Sequence, residues 1–279
     1  MAESSECTFF LISLLPDVSV GEVLSKVSVG PTLICGVPHG WVLQPHDSDT
    51  ASLISHQWDL FLLTAAWNTA VEPVVKDRST AYIKGTVSIG LAQYDRLIAD
   101  VDKKAVPAKD TPPLPQEWTD GNTGFVPTRH VLPAKAGALM PGELKLYEPM
   151  ATYLSTALPD AVRYKPVSLF NLFKYSNGDA FVHERYMQGF KDKFGPAAGA
   201  QLKFMGPISS QPKFFDAPDP ADDAHGKMSW QDANIVQYDS IWHYAYMLST
   251  DVYAELNKEK VRGLEDTCIL LISEIELQE

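Results

Sequence analysis

The sequence predicts an α+β protein with two β-α-β-β-α-β units in one chain, each a split βαβ or ferredoxin-like arrangement, packed sheet to sheet. Three observations carry this expectation. Strand-like and helix-like stretches follow the same order in the two halves of the 279 residues. Trp58 and Trp230 each stand just before a third strand, and Trp67 and Trp242 each open the helix after it. A proline-rich stretch separates the halves, with seven prolines between residues 101 and 141. The tryptophan separations, nine residues against twelve, make the repeat degenerate.

The first unit, residues 1–96, opens with a strand at 8–14, "TFFLISL". A short helix is predicted at 20–27, an extended segment at 39–46 and a strand at 58–64, leading into a helix that carries Trp67. Residues 97–141 read as an irregular strap, because proline fixes φ and removes amide donors. In the second unit, residues 142–279, a leading helix is expected over 142–157, kinked or divided at Pro149. A strand follows at 168–174, "SLFNLFK", then a helix at 179–193 with Asp179 as N-cap. Strands at 200–206 and 232–238 come next, separated by a long loop over 207–229 that holds four prolines. Helices at 240–248 and 250–262 and a last strand at 268–277 close the chain. A half-buried strand such as that of Leu169, Asn171 and Phe173 needs a partner surface on both faces, and a ferredoxin-like unit leaves one sheet face uncovered, which is why the two sheets are expected to pack together.

Residues 238–267, "YDSIWHYAYMLSTDVYAELNKEKVRGLEDT", resemble the C-terminal half of small dimeric α+β-barrel proteins. The matching positions are Tyr238 and Ser240 at the helix start, Tyr253, Arg262 and Leu264-Glu265-Asp266; Asp239 stands where the group has proline. "FNLFKYSNGDAFVHERYMQGF" at 170–190 resembles the group's first strand and helix, with Asn171 and Tyr186 on matching positions. The resemblance covers roughly 168–277 and rests on element order alone over 8–96. It implies a fused, pseudo-dimeric α+β barrel. It also implies the group's range of activities: polyketide cyclases, muconolactone-type isomerases, cofactor-free monooxygenases, decarboxylases and dehydratases, beside stress proteins. Fold alone does not choose among these.

Composition narrows the partners. A net charge of −12 argues against nucleic acid or an anionic membrane as the main partner. The apolar run at 9–15 follows Glu3 and Glu6 and is too short to span a bilayer, so a cytoplasmic protein, monomer or homodimer, is expected. Cys7, Cys35 and Cys268 have neither disulfide-framework nor metal spacing and read as buried thiols. Nucleotide-loop, dinucleotide, nucleophile-elbow and zinc-helix motifs are all missing, so no cofactor and no metal are expected. The acidic run at 216–225 lacks the calcium-loop pattern and reads as solvated loop.

What remains is a pocket that works by shape and a few polar groups on an apolar small molecule. Asn171, His243 and Tyr186 are the candidate catalytic residues, with an amide, imidazole or hydroxyl polarising a carbonyl. Phe173, Phe204, Trp230, Trp242, Tyr244, Tyr246 and Met247 are the candidate substrate-binding residues. Against these stand plainer roles: a buried amide serving its own backbone, a tyrosine packing with its hydroxyl at a rim, and a histidine among core aromatics. His39, His46 and His56 sit at turns and loop ends, and His183 shares a helix face with Tyr186. The helix over 240–248 is apolar nearly all round, so its rotation, and with it the place of His243, stays open. The favoured activity is a cofactor-independent cyclisation, isomerisation or elimination, with an intramolecular [4+2] closure as one subtype. A cofactor-free monooxygenase and a non-catalytic binding module are the alternatives.

Overall fold

The computed structural model describes residues 4–27, 32–46, 51–100, 111–119, 126–137, 139–176, 180–191, 195–216 and 229–275. Eight strands form one closed antiparallel barrel: β1 (Ser4–Leu14), β2 (Thr32–Leu43), β3 (Leu60–Ala65), β4 (Ser79–Gly90), β5 (Val167–Tyr175), β6 (Ala200–Asp216), β7 (Asp232–Tyr238) and β8 (Leu264–Glu274). Around the barrel the order is β1-β3-β2-β8-β5-β7-β6-β4. The first four strands therefore run β4-β1-β3-β2 and the last four β8-β5-β7-β6, the same order in each half. Two seams join the halves, β2 against β8 and β4 against β6.

Alternation along each strand decides which side chains fill the barrel. Phe9 and Leu11 of β1, Phe61 and Leu63 of β3, Phe170 and Leu172 of β5, and Leu270 and Ile272 of β8 point inward and share one buried cluster. The Phe170 ring stands 5.1 Å from that of Phe9 and 5.0 Å from that of Phe61, so the barrel centre is packed with aromatic rings. Each such buried side chain contributes roughly 1.5–3 kcal/mol over leaving it in water. Both seams depend on close backbone approach. A Cβ on Gly36 would strike Ile272 and the Ser273 carbonyl, and one on Gly206 would strike the Ser88 carbonyl.

Helices cover the outer faces. In the first half these are α1 (Val20–Val27), the single turn α2 (Ala51–Ile54), α3 (Val71–Arg78) and α4 (Leu91–Ala99). The strap holds α5 (Gln116–Thr119), and α6 (Glu148–Thr156) and α7 (Asp160–Arg163) precede β5. In the second half α8 (Ala180–Gly189), α9 (Ile241–Leu248) and α10 (Asp251–Gly263) cover the sheet. Ser240 caps α9 by accepting from the His243 amide, and Thr250 caps α10 by accepting from the Tyr253 amide.

Several sequence expectations change. The leading helix is confined to Glu148–Thr156, because Pro149 sits in its first turn, where a missing amide costs nothing. Residues 142–147 before it are not helical, and Gly142 adopts a left-handed φ of 73°. β2 begins at Thr32, seven residues before the expected extended segment. Trp67 belongs to a turn and is 65% exposed, and the helix after it starts at Val71. The expected loop at 207–229 is largely strand at its start, since β6 continues to Asp216 along β4. Residues 217–228, with most of the acidic run, lie outside the described residues, as do Asp179 and the His183 side chain.

Candidate functional site

β5, β7 and β8 turn a mixed face outward beneath α8, α9 and α10. Leu169, Asn171 and Phe173 come from β5, Asn234, Val236 and Tyr238 from β7, and Ile269 from β8. Above them stand Tyr186 and Met187 of α8, Tyr244 and Met247 of α9, and Tyr253 and Lys260 of α10. Between the layers lies a cavity of about 30 Å³, room for about two waters. Leu144, from the non-helical segment before α6, closes one side of it and is 2% exposed. That closure is held by Asn257 of α10, whose amide nitrogen donates to the Gly142 carbonyl at 3.2 Å while its oxygen accepts from the Leu144 amide at 3.0 Å.

The polar groups of this cavity divide by what they already do. Asn171 donates both amide hydrogens, to the Leu169 carbonyl at 2.9 Å and to Asn234 Oδ1 at 2.7 Å. It is saturated as a donor and instead fixes the orientation of Asn234. Among the described residues, the Asn234 amide nitrogen meets only the Met187 sulfur at 4.0 Å, and the Tyr238 hydroxyl only the Met247 sulfur at 3.5 Å. Sulfur is a weak acceptor, so both donors are underused. The Tyr244 hydroxyl is fully buried with no hydrogen-bond partner among the described residues. Tyr186 and Tyr253 are hydrogen-bonded to each other through their hydroxyls.

Burial sets the protonation states. It pushes Tyr186 up to about 12 and raises Tyr238, Tyr244 and Tyr253 further, so all four stay neutral donors at physiological pH. Lys260 moves the other way. The residue is 2% exposed and its Nζ lies 6.0 Å above the Tyr186 ring, with no carboxylate among the described residues paired to it. Burial alone lowers it to about 7, which leaves a substantial fraction as free amine near neutrality. Among the described groups of this cavity, Lys260 is the one able to exchange a proton in that range.

Asn171, Tyr186, Phe173, Tyr244 and Met247 thus meet at one cavity, and the other named residues do not. Phe204 and Trp230 face the barrel interior. For Phe204 the cause is a register shift between Leu202 and Phe204: Leu202 pairs with Val236, yet Phe204 pairs with Ile235, so its side chain turns inward. On α9, Tyr244 and Met247 face the sheet while His243 and Tyr246 face away. His243 is half-buried along an open groove of about 500 Å³ with Trp242, Trp118 and Tyr164. Its Nδ1 lies 2.8 Å from Ser240 Oγ, and burial lowers its pKa, with Asp239 opposing. Tyr246 packs edge-on against Trp118 at 5.5 Å. The helix is apolar all round because sheet covers one side and strap the other.

Among the described residues, the remaining histidines do not border the cavity. His39 lies 2.8 Å from Ser273 Oγ, His46 stands 3.5 Å from Asp266, and His56 stacks on Trp58. Among the described residues, no group of three His, Cys, Asp or Glu side chains is placed to hold a metal ion. No helix there is long and apolar enough to cross a membrane. Lys260, Asn234, Tyr238 and Tyr253 were not among the sequence candidates. The available signal was a stripe on α10: Tyr253, Asn257 and Lys260 recur at helical spacing on the buried face, where an apolar residue is the norm.

No family model matches this chain, and no curated protein matches it. Among solved structures it is similar to a "putative monooxygenase" from Lactobacillus acidophilus NCFM, with a TM-score of 0.41 and 9% identity over 98% of this chain and 94% of that one. A "putative monooxygenase" from Fusobacterium nucleatum gives a TM-score of 0.42 and 6% identity over 99% and 95%. The RPA0582 protein of Rhodopseudomonas palustris, of unknown function, gives 0.30 and 18% identity over 41% of this chain and 85% of its own. On its own geometry, the chain is an α+β protein built on a closed eight-stranded antiparallel barrel.

Proposed function

We propose that this chain is a cofactor-independent enzyme that holds an apolar carbonyl compound between the sheet of its second half and α8, α9 and α10. The repeated strand order is read as two ferredoxin-like units fused in one chain, with the second carrying the site. One observation carries the enzyme reading: among the described residues three buried donors, the Asn234 amide and the Tyr238 and Tyr244 hydroxyls, line one apolar cavity without a strong acceptor of their own, and Asn234 and Tyr244 are the two with the least. An unpaired buried donor is costly, and a substrate carbonyl oxygen relieves that cost. Two such donors polarise the carbonyl and stabilise negative charge that develops on its oxygen. Isomerisation and elimination beside a carbonyl pass through such a charge, and a [4+2] closure is accelerated by the same polarisation. Met187, Met247 and Phe173 supply walls that fit an apolar skeleton.

The cavity holds only about two waters with Leu144 in place, so a larger substrate enters by displacing Leu144 and its segment. The test is deuterium exchange at the carbons flanking the carbonyl of cyclohexanone, followed by NMR in heavy water. The wild-type chain is expected to accelerate exchange over buffer, and Tyr244→Phe or Asn234→Leu to lower that acceleration about a hundredfold. Absence of acceleration with retained binding assigns the chain as a binding module. Oxygen uptake coupled to substrate loss, with turnover abolished under nitrogen, assigns the monooxygenase reading.

A further inference from the structure

We propose that Lys260 is a covalent catalyst that forms an imine with an unhindered aldehyde or ketone in this cavity. The inference rests on the carbonyl-binding reading and adds to it the bond formed and the substrate class. Lys260 occupies the buried stripe of α10, where a lysine is out of place for packing, and it lines the cavity without a carboxylate partner among the described residues. A structural lysine at such a depth is ordinarily paired. Its surroundings suit nucleophilic attack instead: apolar walls, a tyrosine ring face at 6.0 Å, and neutral hydroxyls on the same cavity. Burial that keeps the amine partly uncharged near neutrality is consistent with this chemistry.

The step balances without any further reactant. The amine lone pair bonds to the carbonyl carbon, giving a carbinolamine after a proton passes from nitrogen to oxygen. The carbon–oxygen bond then breaks, and a hydroxyl of the Tyr186–Tyr253 pair can relay the proton that departs with the oxygen. The two amine hydrogens and the carbonyl oxygen leave as one water. Protonated on nitrogen by a neighbouring tyrosine hydroxyl, the imine becomes an iminium that acidifies the neighbouring C–H bonds, which serves the same isomerisation, elimination or closure. A cavity of about 30 Å³ favours small carbonyl groups or the carbonyl end of a longer chain.

The experiment treats the full chain with propanal and sodium cyanoborohydride near neutral pH, then maps propylated lysines by peptide mass spectrometry. Surface lysines are almost wholly protonated there and hold roughly a thousandfold less free amine than a group with a pKa near 7. The expected result is propylation of the Lys260 peptide ahead of all other lysines, with that preference lost on unfolding in urea. Leu144→Ala, which widens the entrance, is expected to speed labelling at Lys260 alone. Surface labelling with Lys260 unmodified in both the wild-type chain and Leu144→Ala overturns the proposal. A lactone probe, whose carbonyl forms no imine, separates the two readings. If its infrared band shifts on binding and loses the shift in Tyr244→Phe, carbonyl polarisation stands even where the imine fails.

Discussion

At the scale of single residues, the protonation of Lys260 links the site to stability. Its folded value of about 7 lies below the usual 10.5, because burial penalises the ammonium. Between those values the unfolded chain binds the additional proton, so stability rises as pH climbs from about 7 toward 10.5. Below 7 both states are protonated and the full penalty of a buried charge is present. Lys260→Met is therefore expected to stabilise the chain by roughly 3–5 kcal/mol at about pH 6, with the gain fading as pH approaches 10.5. Urea unfolding at several pH values checks this, and a difference that does not vary with pH would refute it. This residue also marks where sequence reasoning stopped short. Aromatic crowding drew attention to His243, whereas a single charged residue on an otherwise buried stripe drew none. Asn171 was singled out as a donor, but its hydrogens are both engaged, and only the pairing of β5 with β7 shows that Asn234 is the freer amide.

At the scale of elements, the strands were legible as short runs rich in apolar, β-branched and aromatic residues, as in "TFFLISL" and "DANIVQY", which are buried on both faces. The bulge at residue 203 was not, because one extra residue leaves composition unchanged while reversing the face of everything after it. The segment before α6 misled for another reason: "GELKLYEPM" is rich in helix formers, yet Asn257 and the cavity mouth hold residues 142–147 in a non-helical course. Tertiary contacts overrode local propensity there. This segment yields its own prediction. Leu144→Ala removes a buried side chain and is expected to cost about 2–4 kcal/mol of stability by thermal or urea unfolding. It should also raise the affinity for ligands bulkier than two waters, as read by calorimetry with cyclohexanone. A loss of stability with no gain in ligand capacity would show that Leu144 is core filling and not an entrance.

At the scale of the whole molecule, closure joins the halves into one hydrogen-bonded surface. Each seam passes a glycine where the opposing chain leaves no space for a side chain, Gly36 at β2–β8 and Gly206 against β4. Gly36→Ala and Gly206→Ala are each expected to destabilise the chain by roughly 1–3 kcal/mol, the usual range for overpacking. Because the interior cluster draws side chains from both halves, unfolding is expected to be one transition. Tryptophan fluorescence and far-ultraviolet circular dichroism should give the same midpoint, and two separated midpoints would show that the halves unfold independently.

The outer layers of the two halves are not alike. Phe10, Ile12, Val23, Leu60, Leu62 and Val71 fill the space between the first half's sheet and α1 and α3, where the second half has its amides, hydroxyls and amine. A homodimeric barrel must duplicate whatever it evolves, since both copies share one gene. In a barrel whose two halves differ in sequence, one layer can specialise in holding the barrel closed while the other accepts the strain of buried polar groups. The measurable consequence is stoichiometry. Titration to saturation should end at one ligand per 30.8 kDa chain rather than two.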